Sequence, residues 1–178
     1  RGDTVLEVGC GPGIYVAMAS NLGFRVTGVD PRRSPTWDAL EKRESVTMMD
    51  GIWAESLPFE DAAFDHVICI GAMQYFEDPK RAIAEMHRVL KPGGRLVIRT
   101  GHLMNAYTRR TGQFTGAGMR RLYTVGEVDD LLRDAGFTTQ ESRLWGFWPS
   151  RFNKTWHYFK TIIQSSWLEQ VLSDLSPK

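Results

Sequence analysis

Three closely spaced glycines, Gly9, Gly11 and Gly13, stand between a short apolar run and a segment with helical periodicity. Glycine tolerates backbone angles that other residues avoid, and it lets the main chain approach a ligand closely. The helix that follows would present free N–H groups and the positive end of its dipole to an anionic group. The pattern therefore predicts a loop that binds a nucleotide-like ligand.

The spacing of these glycines separates two classes of ligand. Ile14 stands where the Gly-x-Gly-x-x-Gly motif of dinucleotide-binding proteins has its third glycine, which argues against a nicotinamide-dinucleotide oxidoreductase. Asp30 lies 17 residues after Gly13, at the end of the next apolar run. A carboxylate there can accept hydrogen bonds from two ribose hydroxyls. The alternative is an aspartate that only forms a turn.

Polar side chains suited to a second ligand follow two later apolar runs. Gln74 and Tyr75 come after the fourth predicted strand, His102 comes after the fifth, and Tyr107 lies in the irregular segment beyond it. Open α/β sheets bind ligands outside the carboxyl ends of their strands, so these four are the candidate acceptor-binding residues. His102 is also the candidate general base, although a loop histidine is more often only polar surface. No metal site is predicted.

Alternating apolar runs and amphipathic segments must position these residues. Their periodicity predicts strands at residues 4–8, 25–29, 46–49, 64–70, 95–100 and 137–144. Helices are expected at residues 14–21, 39–43, 79–90 and 124–135, and a turn at residues 91–94. Thr124 and Glu127 have the spacing of a capping box at the start of the last helix. This order favours an α/β fold with a mostly parallel sheet and helices on both faces.

Two segments depart from this alternation. Residues 101–123 lack a regular pattern, and a loop of that length in a compact domain is often a lid or a binding loop. We therefore expect an acceptor-binding insertion there. Residues 153–172 carry apolar side chains at helical spacing, which predicts a C-terminal amphipathic helix. That helix could pack on the core, cover an apolar acceptor, join a second copy or rest on a membrane surface.

Composition limits the function classes. The 178 residues are 42% hydrophobic and 24% charged, which predicts a single globular domain over residues 1–178. The net charge of +1 gives no bulk field that would attract nucleic acid. No apolar run reaches the length of a membrane span, and two cysteines favour a reducing, cytoplasmic setting. The chain begins at Arg1, close to the first strand, so we expect a trimmed N-terminus.

Four segments together resemble the class I S-adenosylmethionine-dependent methyltransferases. Residues 5–13, Val-Leu-Glu-Val-Gly-Cys-Gly-Pro-Gly, resemble the first motif of that family, and residues 28–30, Gly-Val-Asp, resemble the second. Residues 57–65 resemble the lead into the fourth strand, and residues 90–96 the turn into the fifth. The resemblance covers about residues 4–100 and points to the branch that acts on small molecules and quinone precursors. It implies a Rossmann-like, doubly wound fold.

The resemblance also implies a cofactor, S-adenosylmethionine, with S-adenosylhomocysteine as the product. Glu7 would lie near the amino group of the methionine moiety, and the loop would pass along that moiety through Gly9, Cys10, Gly11 and Gly13. Asp30 would bind the ribose and Pro31 would flank the adenine. The other edge of the adenine would be lined by Trp53, Ala54 and Glu55. Beneath the methionine moiety, near the sulfonium, would lie Ile70 and Gly71.

Trp53 is a departure from the family pattern, because related sequences often have an aspartate there that pairs with the adenine amino group. Tryptophan cannot accept that hydrogen bond. Either the backbone near Ala54 and the carboxylate of Glu55 supply polar contacts, or adenine recognition is weaker. The alternative for Trp53 is packing in the core.

The implied activity is methyl transfer to a small-molecule acceptor, with in-line alignment as the main catalytic device. An apolar acceptor is one of the options. A non-catalytic domain that binds the cofactor is the alternative, and the dinucleotide oxidoreductase is less favoured. Base methylation of nucleic acid is disfavoured, because the residues after the fourth predicted strand read Ile-Gly-Ala-Met rather than Asn/Asp-Pro-Pro-Tyr. No transmembrane segment is expected, and peripheral membrane contact stays open.

Overall fold

Five parallel strands form the sheet in the computed structural model, which describes residues 2–101 and 118–142. The strands are β1 (Thr4–Val8), β2 (Arg25–Asp30), β3 (Val46–Asp50), β4 (Phe64–Ile70) and β5 (Leu90–Arg99). Their order across the sheet is β3-β2-β1-β4-β5, and every neighbouring pair is parallel. This is the order of a doubly wound α/β sheet, so the predicted fold class is confirmed.

The helices of the described residues are α1 (Ile14–Asn21), α2 (Trp37–Leu40), α3 (Pro79–Val89) and α4 (Val125–Asp134), with a 3₁₀ turn at Met73–Tyr75. Local sequence explains the start of the longer ones. Asp78 caps α3 by accepting a hydrogen bond from the N–H of Arg81 at 3.1 Å. Thr124 and Glu127 form the predicted capping box of α4. None of the helices in the described ranges is long and apolar enough to cross a membrane.

Two hydrophobic clusters pack on the sheet. Alternate side chains of β1 divide between them, with Val5 in one and Leu6 and Val8 in the other, so the clusters cover opposite faces. The Val5 cluster includes buried residues of α1 and α2. The Leu6 cluster includes Ile83 and other buried residues of α3, with side chains of α4 packed against it. Helices therefore lie on both faces, as predicted.

Three predicted elements differ from the structure. The second helix was expected at residues 39–43 but is α2, which begins at Trp37. Residues 91–94 were expected as a turn before the fifth strand, but β5 already begins at Leu90 and pairs with Phe64. Pairing resumes between Arg95 and His66, so Asp65 alone faces residues 91–94. The sixth strand is absent from residues 137–142, the part of its range that the structure describes.

Candidate functional site

The crevice at the carboxyl ends of β1 and β4 is the topological switch point of the sheet. The chain runs from β1 outward to β3 on one side and from β4 to β5 on the other. Doubly wound sheets bind their ligands at such a crevice. The loops that border it follow β1 at residues 9–13, β2 at residues 31–36 and β4 at residues 71–72.

The glycine loop touches the loop after β4. Gly9 has a φ of +73°, and a Cβ built on it would lie 2.3 Å from the Cβ of Ala72. A side chain at position 9 would therefore force the two loops apart. The N–H groups of Gly9 and Cys10 both donate to the carbonyl oxygen of Val29, at 2.9 and 3.0 Å, and so bind the loop to β2. Gly9 is therefore required by its positive φ, as the sequence predicts, and also by close packing against Ala72, which the sequence does not predict.

Asp30 lies at the end of β2, beside the glycine loop. Its Oδ2 accepts a hydrogen bond from the N–H of Gly11 at 3.0 Å, and its Oδ1 accepts one from the N–H of Arg32 at 2.9 Å. Asp30 therefore forms a turn with Arg32, which is the alternative role that the sequence indicated for this aspartate. Each carboxylate oxygen has a second lone pair, so these bonds leave acceptor capacity for a ligand hydroxyl.

Glu7 is buried in the sheet at the end of β1, with a side chain that is almost inaccessible to solvent. Burial raises the pKa of its carboxyl group well above the ordinary value. A hydrogen bond from the backbone N–H of Val16 opposes that rise, and the negative charge of Asp30 adds to it. Among the described residues nothing bonds to Oε2. A buried carboxyl oxygen without a partner is costly, so it is suited to a ligand that donates to it.

Trp37 and Thr36 hold the glycine loop from the side of α2, and neither residue was predicted from the sequence. The buried Nε1–H of Trp37 donates to the carbonyl oxygen of Gly11 at 2.7 Å. The hydroxyl of Thr36 donates to the carbonyl oxygen of Pro12, also at 2.7 Å. A tryptophan two residues before the predicted helix at residues 39–43 was the available signal, because a buried indole N–H needs an acceptor.

Gln74 joins the carboxyl ends of β4 and β5. Its Nε2 donates to the carbonyl oxygen of Gly71 at 2.8 Å, and its Oε1 accepts from the hydroxyl of Thr100 at 3.2 Å. The backbone carbonyl oxygen of Gln74 accepts a hydrogen bond from the N–H of Arg120 at 2.9 Å. The amide of Gln74 is therefore engaged within the protein, whereas Tyr75 exposes 41% of its surface beside it.

Tyr123 brings the end of the irregular segment back to the same edge of the sheet. Its N–H donates to the carbonyl oxygen of Gly101 at 3.3 Å, and its buried hydroxyl lies 3.4 Å from the carbonyl oxygen of Met73. Tyr123 was not predicted from the sequence, because its hydrogen-bond partners are distant in the chain. The insertion predicted at residues 101–123 thus starts and ends beside the crevice, while residues 102–117 lie outside the described part.

The segment after β3 lies on the rim of the crevice. The N–H of Ile52 donates to the carbonyl oxygen of Asp30 at 3.3 Å. Trp53 exposes 56% of its surface, so the alternative that it packs in the core is wrong. The Oε1 atom of Glu55 accepts hydrogen bonds from the N–H groups of Glu77 and Asp78, at 2.8 and 3.2 Å. This oxygen therefore stabilises the two residues that precede α3. Ala54, between Trp53 and Glu55 in the sequence, is buried.

The two thiols near the crevice are not activated. Burial is the main cause that raises the pKa of Cys10 far above its ordinary value and that of Cys69 to about 12. Both cysteines are free and buried. Because the thiolate is the reactive form, neither residue is suited to nucleophilic chemistry. The described residues also contain no group of three or more metal-ligating side chains that could hold a metal ion.

Residues 6–98 match the family described as a methyltransferase domain. The chain belongs to this family. It is 38% identical over 103 residues to a ubiquinone biosynthesis O-methyltransferase of Pseudomonas paraeruginosa. The aligned residues make up 56% of this chain and 44% of the relative. It is 30% identical to a demethylmenaquinone methyltransferase of Chlorobaculum tepidum, over 84% of this chain and 58% of the relative.

A solved structure supports the same fold. The 1,6-didemethyltoxoflavin-N1-methyltransferase of Burkholderia thailandensis, crystallised with S-adenosylhomocysteine and 1,6-didemethyltoxoflavin, matches with a TM-score of 0.66 and 27% identity. The match covers 80% of this chain and 64% of that one. The chain spans about half the length of the curated relatives that it matches.

The methyltransferase domain gathers most of the predicted cofactor residues around one crevice. Those that follow β1, β2 and β4 or lie at the ends of these strands are Glu7, Gly9, Cys10, Gly11, Gly13, Asp30, Pro31, Ile70 and Gly71. Trp53, Ala54 and Glu55 follow β3, and Gln74 and Tyr75 follow β4. His102, Tyr107 and the predicted helix at residues 153–172 lie outside the described residues, so their roles stay predictions.

Proposed function

We propose that this methyltransferase domain binds S-adenosylmethionine and transfers its methyl group to a small-molecule acceptor. The observation that carries the proposal is the buried carboxyl group of Glu7, whose Oε2 atom has no partner among the described residues. An ammonium group would pair with this oxygen, whereas a pyrophosphate at the same loop would be repelled by the charged form. The amino group of a methionine moiety therefore suits the site better than a dinucleotide does.

The other residues of the crevice fit the same cofactor. Asp30 keeps acceptor capacity for the ribose hydroxyls while Gly11 and Arg32 hold its carboxylate in place. The loop through Gly9, Cys10, Gly11 and Gly13 would pass along the methionine moiety. Pro31 on one side and the segment of Trp53, Ala54 and Glu55 on the other would border the adenine.

Positioning would be the main contribution of the protein to the reaction. The bound cofactor supplies an activated methyl group on its sulfonium. Ile70 and Gly71 would lie beside that sulfonium, and Gly71 is fixed by its N–H bond to the carbonyl oxygen of Arg99 at 2.7 Å. Holding the reacting atoms in line lowers the barrier by about 7–11 kcal/mol in favourable cases. His102 would accept a proton from an acceptor that must lose one.

We propose a small organic acceptor of apolar character, in the class of quinone precursors. Two relatives with this class in their names support the choice. Tyr75 presents a partly exposed aromatic ring beside the crevice, and Gln74, His102 and Tyr107 complete the candidate acceptor contacts. The net charge of +1 does not favour nucleic acid. Two buried free thiols suit a cytoplasmic location.

Mass spectrometry with an isotopically labelled methyl group tests the proposal. The chain is incubated with labelled S-adenosylmethionine and either a hydroxylated quinone precursor or a metabolite extract. We expect a product that carries the label, together with S-adenosylhomocysteine. The variant Asp30→Ala should form this product much more slowly, and Glu44→Gln, at an exposed position away from the crevice, should match the parent. Cofactor binding without any labelled product would instead indicate a non-catalytic domain.

A further inference from the structure

Gly11 links the indole of Trp37 to the carboxylate of Asp30. Its carbonyl oxygen accepts the Nε1–H of Trp37 at 2.7 Å. Its N–H donates to Oδ2 of Asp30 at 3.0 Å. One glycine is therefore held at both of its backbone polar groups, by a buried side chain on one side and by the candidate ribose acceptor on the other.

The bond from Trp37 is structurally required. Trp37 is fully buried, and an indole N–H can only donate, so without the Gly11 carbonyl it would leave a buried donor unpaired. Gly11 has a φ of +49°, and a Cβ built on it would meet no atom within 4 Å. The space beside its Cα is therefore open, and the two hydrogen bonds are the contacts through which Trp37 and Asp30 orient its backbone.

The loop between Asp30 and Trp37 is fixed from both ends. Oδ1 of Asp30 accepts the N–H of Arg32 at 2.9 Å. The guanidinium of Arg33 lies 5.7 Å from the ring centroid of Trp37 and forms ion pairs with Asp38 and Glu41. The ring of Trp37, the first residue of α2, thus packs against the guanidinium of Arg33 while its N–H reaches the glycine loop.

We infer that Trp37 is a positioning residue for the cofactor. It has no exposed surface with which to touch a ligand, and it acts through Gly11 to hold the Asp30 carboxylate in the orientation that receives the ribose hydroxyls. The inference rests on the proposed function, because it takes the ribose of the cofactor as the ligand of Asp30. A residue that only filled the core would affect stability but would not couple to Asp30.

A double-mutant cycle measured by calorimetry with S-adenosylhomocysteine separates these roles. The four proteins are the parent, Trp37→Phe, Asp30→Ala and the double variant. We expect Trp37→Phe to raise Kd about tenfold in the parent, as for one lost hydrogen bond. In the Asp30→Ala background the same change should raise Kd less than about twofold. Phe24→Leu, which alters the same hydrophobic cluster away from the loop, should leave Kd unchanged.

Equal effects of Trp37→Phe in both backgrounds, or no effect in the parent, would overturn the inference and leave cofactor binding intact. A parent that does not bind S-adenosylhomocysteine would refute the proposed function itself. Where Trp37→Phe does not fold, the NMR signal of the Trp37 indole N–H in the parent gives a second measurement. S-adenosylhomocysteine should shift this signal, and Asp30→Ala should abolish the shift. A signal unmoved by the ligand would overturn the inference.

Discussion

The backbone N–H of Val16, in α1, donates a hydrogen bond to the buried carboxyl group of Glu7, on β1. This bond joins the strand and the helix on either side of the glycine loop. It satisfies only one carboxyl oxygen, because Oε2 has no partner among the described residues. The fold therefore holds the Glu7 side chain in place but leaves one of its buried carboxyl oxygens without a hydrogen-bond donor.

Glu7 should make stability depend on pH. Burial raises its pKa in the folded state, so the unfolded chain releases this proton at a lower pH than the folded chain does. The stability of the parent should then fall as the pH rises above about 4.3 and on through the folded pKa. Glu7→Gln removes this loss, so the stability of the variant relative to the parent should increase between pH 5 and pH 8. Urea denaturation at both pH values measures the gain, and parallel pH profiles would refute it.

Gly9 and Gly51 form a matched pair for the packing of the glycine loop. Both have a φ near +72°, but a Cβ at position 9 would clash with Ala72, whereas one at position 51 would meet nothing within 4 Å. Gly51→Ala should cost about 1–2 kcal/mol of unfolding free energy through backbone strain alone. Gly9→Ala should cost a further 1–3 kcal/mol, roughly, through overpacking. Urea denaturation at 25 °C compares them, and equal losses would show that the two loops separate freely.

Asp65 should make the stability of the domain fall as the pH is lowered, which is the reverse of the effect of Glu7. Burial raises its pKa, but hydrogen bonds from Lys91 at 2.8 Å and from Thr4 outweigh that effect and hold the pKa well below the ordinary value. The stabilisation should be complete at neutral pH and decline as the pH falls below about 4.

Asp65→Asn should therefore cost about 1–2 kcal/mol at pH 7. The difference from the parent should shrink between pH 4 and pH 2, as denaturation midpoints measured over that range would show. Glu44→Gln, an exposed carboxylate elsewhere, is the control and should differ little from the parent at any pH. A constant difference for Asp65→Asn would contradict the assignment.

Local patterns predicted the elements that depend on nearby residues. The strands β1 and β4 and the helix α1 have the predicted bounds, because glycines and apolar runs delimit them directly. The capping box at Thr124 was predictable for the same reason. The early start of β5 was not, since it depends on the distant pairing of Leu90 with Phe64.

The residues of the candidate site likewise include some that the sequence predicts and some that it does not. Asp30 was identified from its position after the glycine loop, and Glu7 from the resemblance to the methyltransferase family. Trp37 and Tyr123 were not, because each acts through a hydrogen bond to a backbone carbonyl 26 or 50 residues away in the chain. Gln74 stays a predicted acceptor contact, and its bonds to Gly71 and Thr100 could not be predicted because they join the ends of two strands.

Calorimetry with S-adenosylhomocysteine and with NAD, on the parent and on Asp30→Ala, tests whether the crevice binds S-adenosylmethionine through Asp30. We expect the parent to bind S-adenosylhomocysteine and not to bind NAD. Asp30→Ala should raise the Kd for S-adenosylhomocysteine about 10- to 150-fold, as for the loss of hydrogen bonds to a charged group. Binding of NAD in place of S-adenosylhomocysteine, or equal affinity of the variant and the parent, would contradict it.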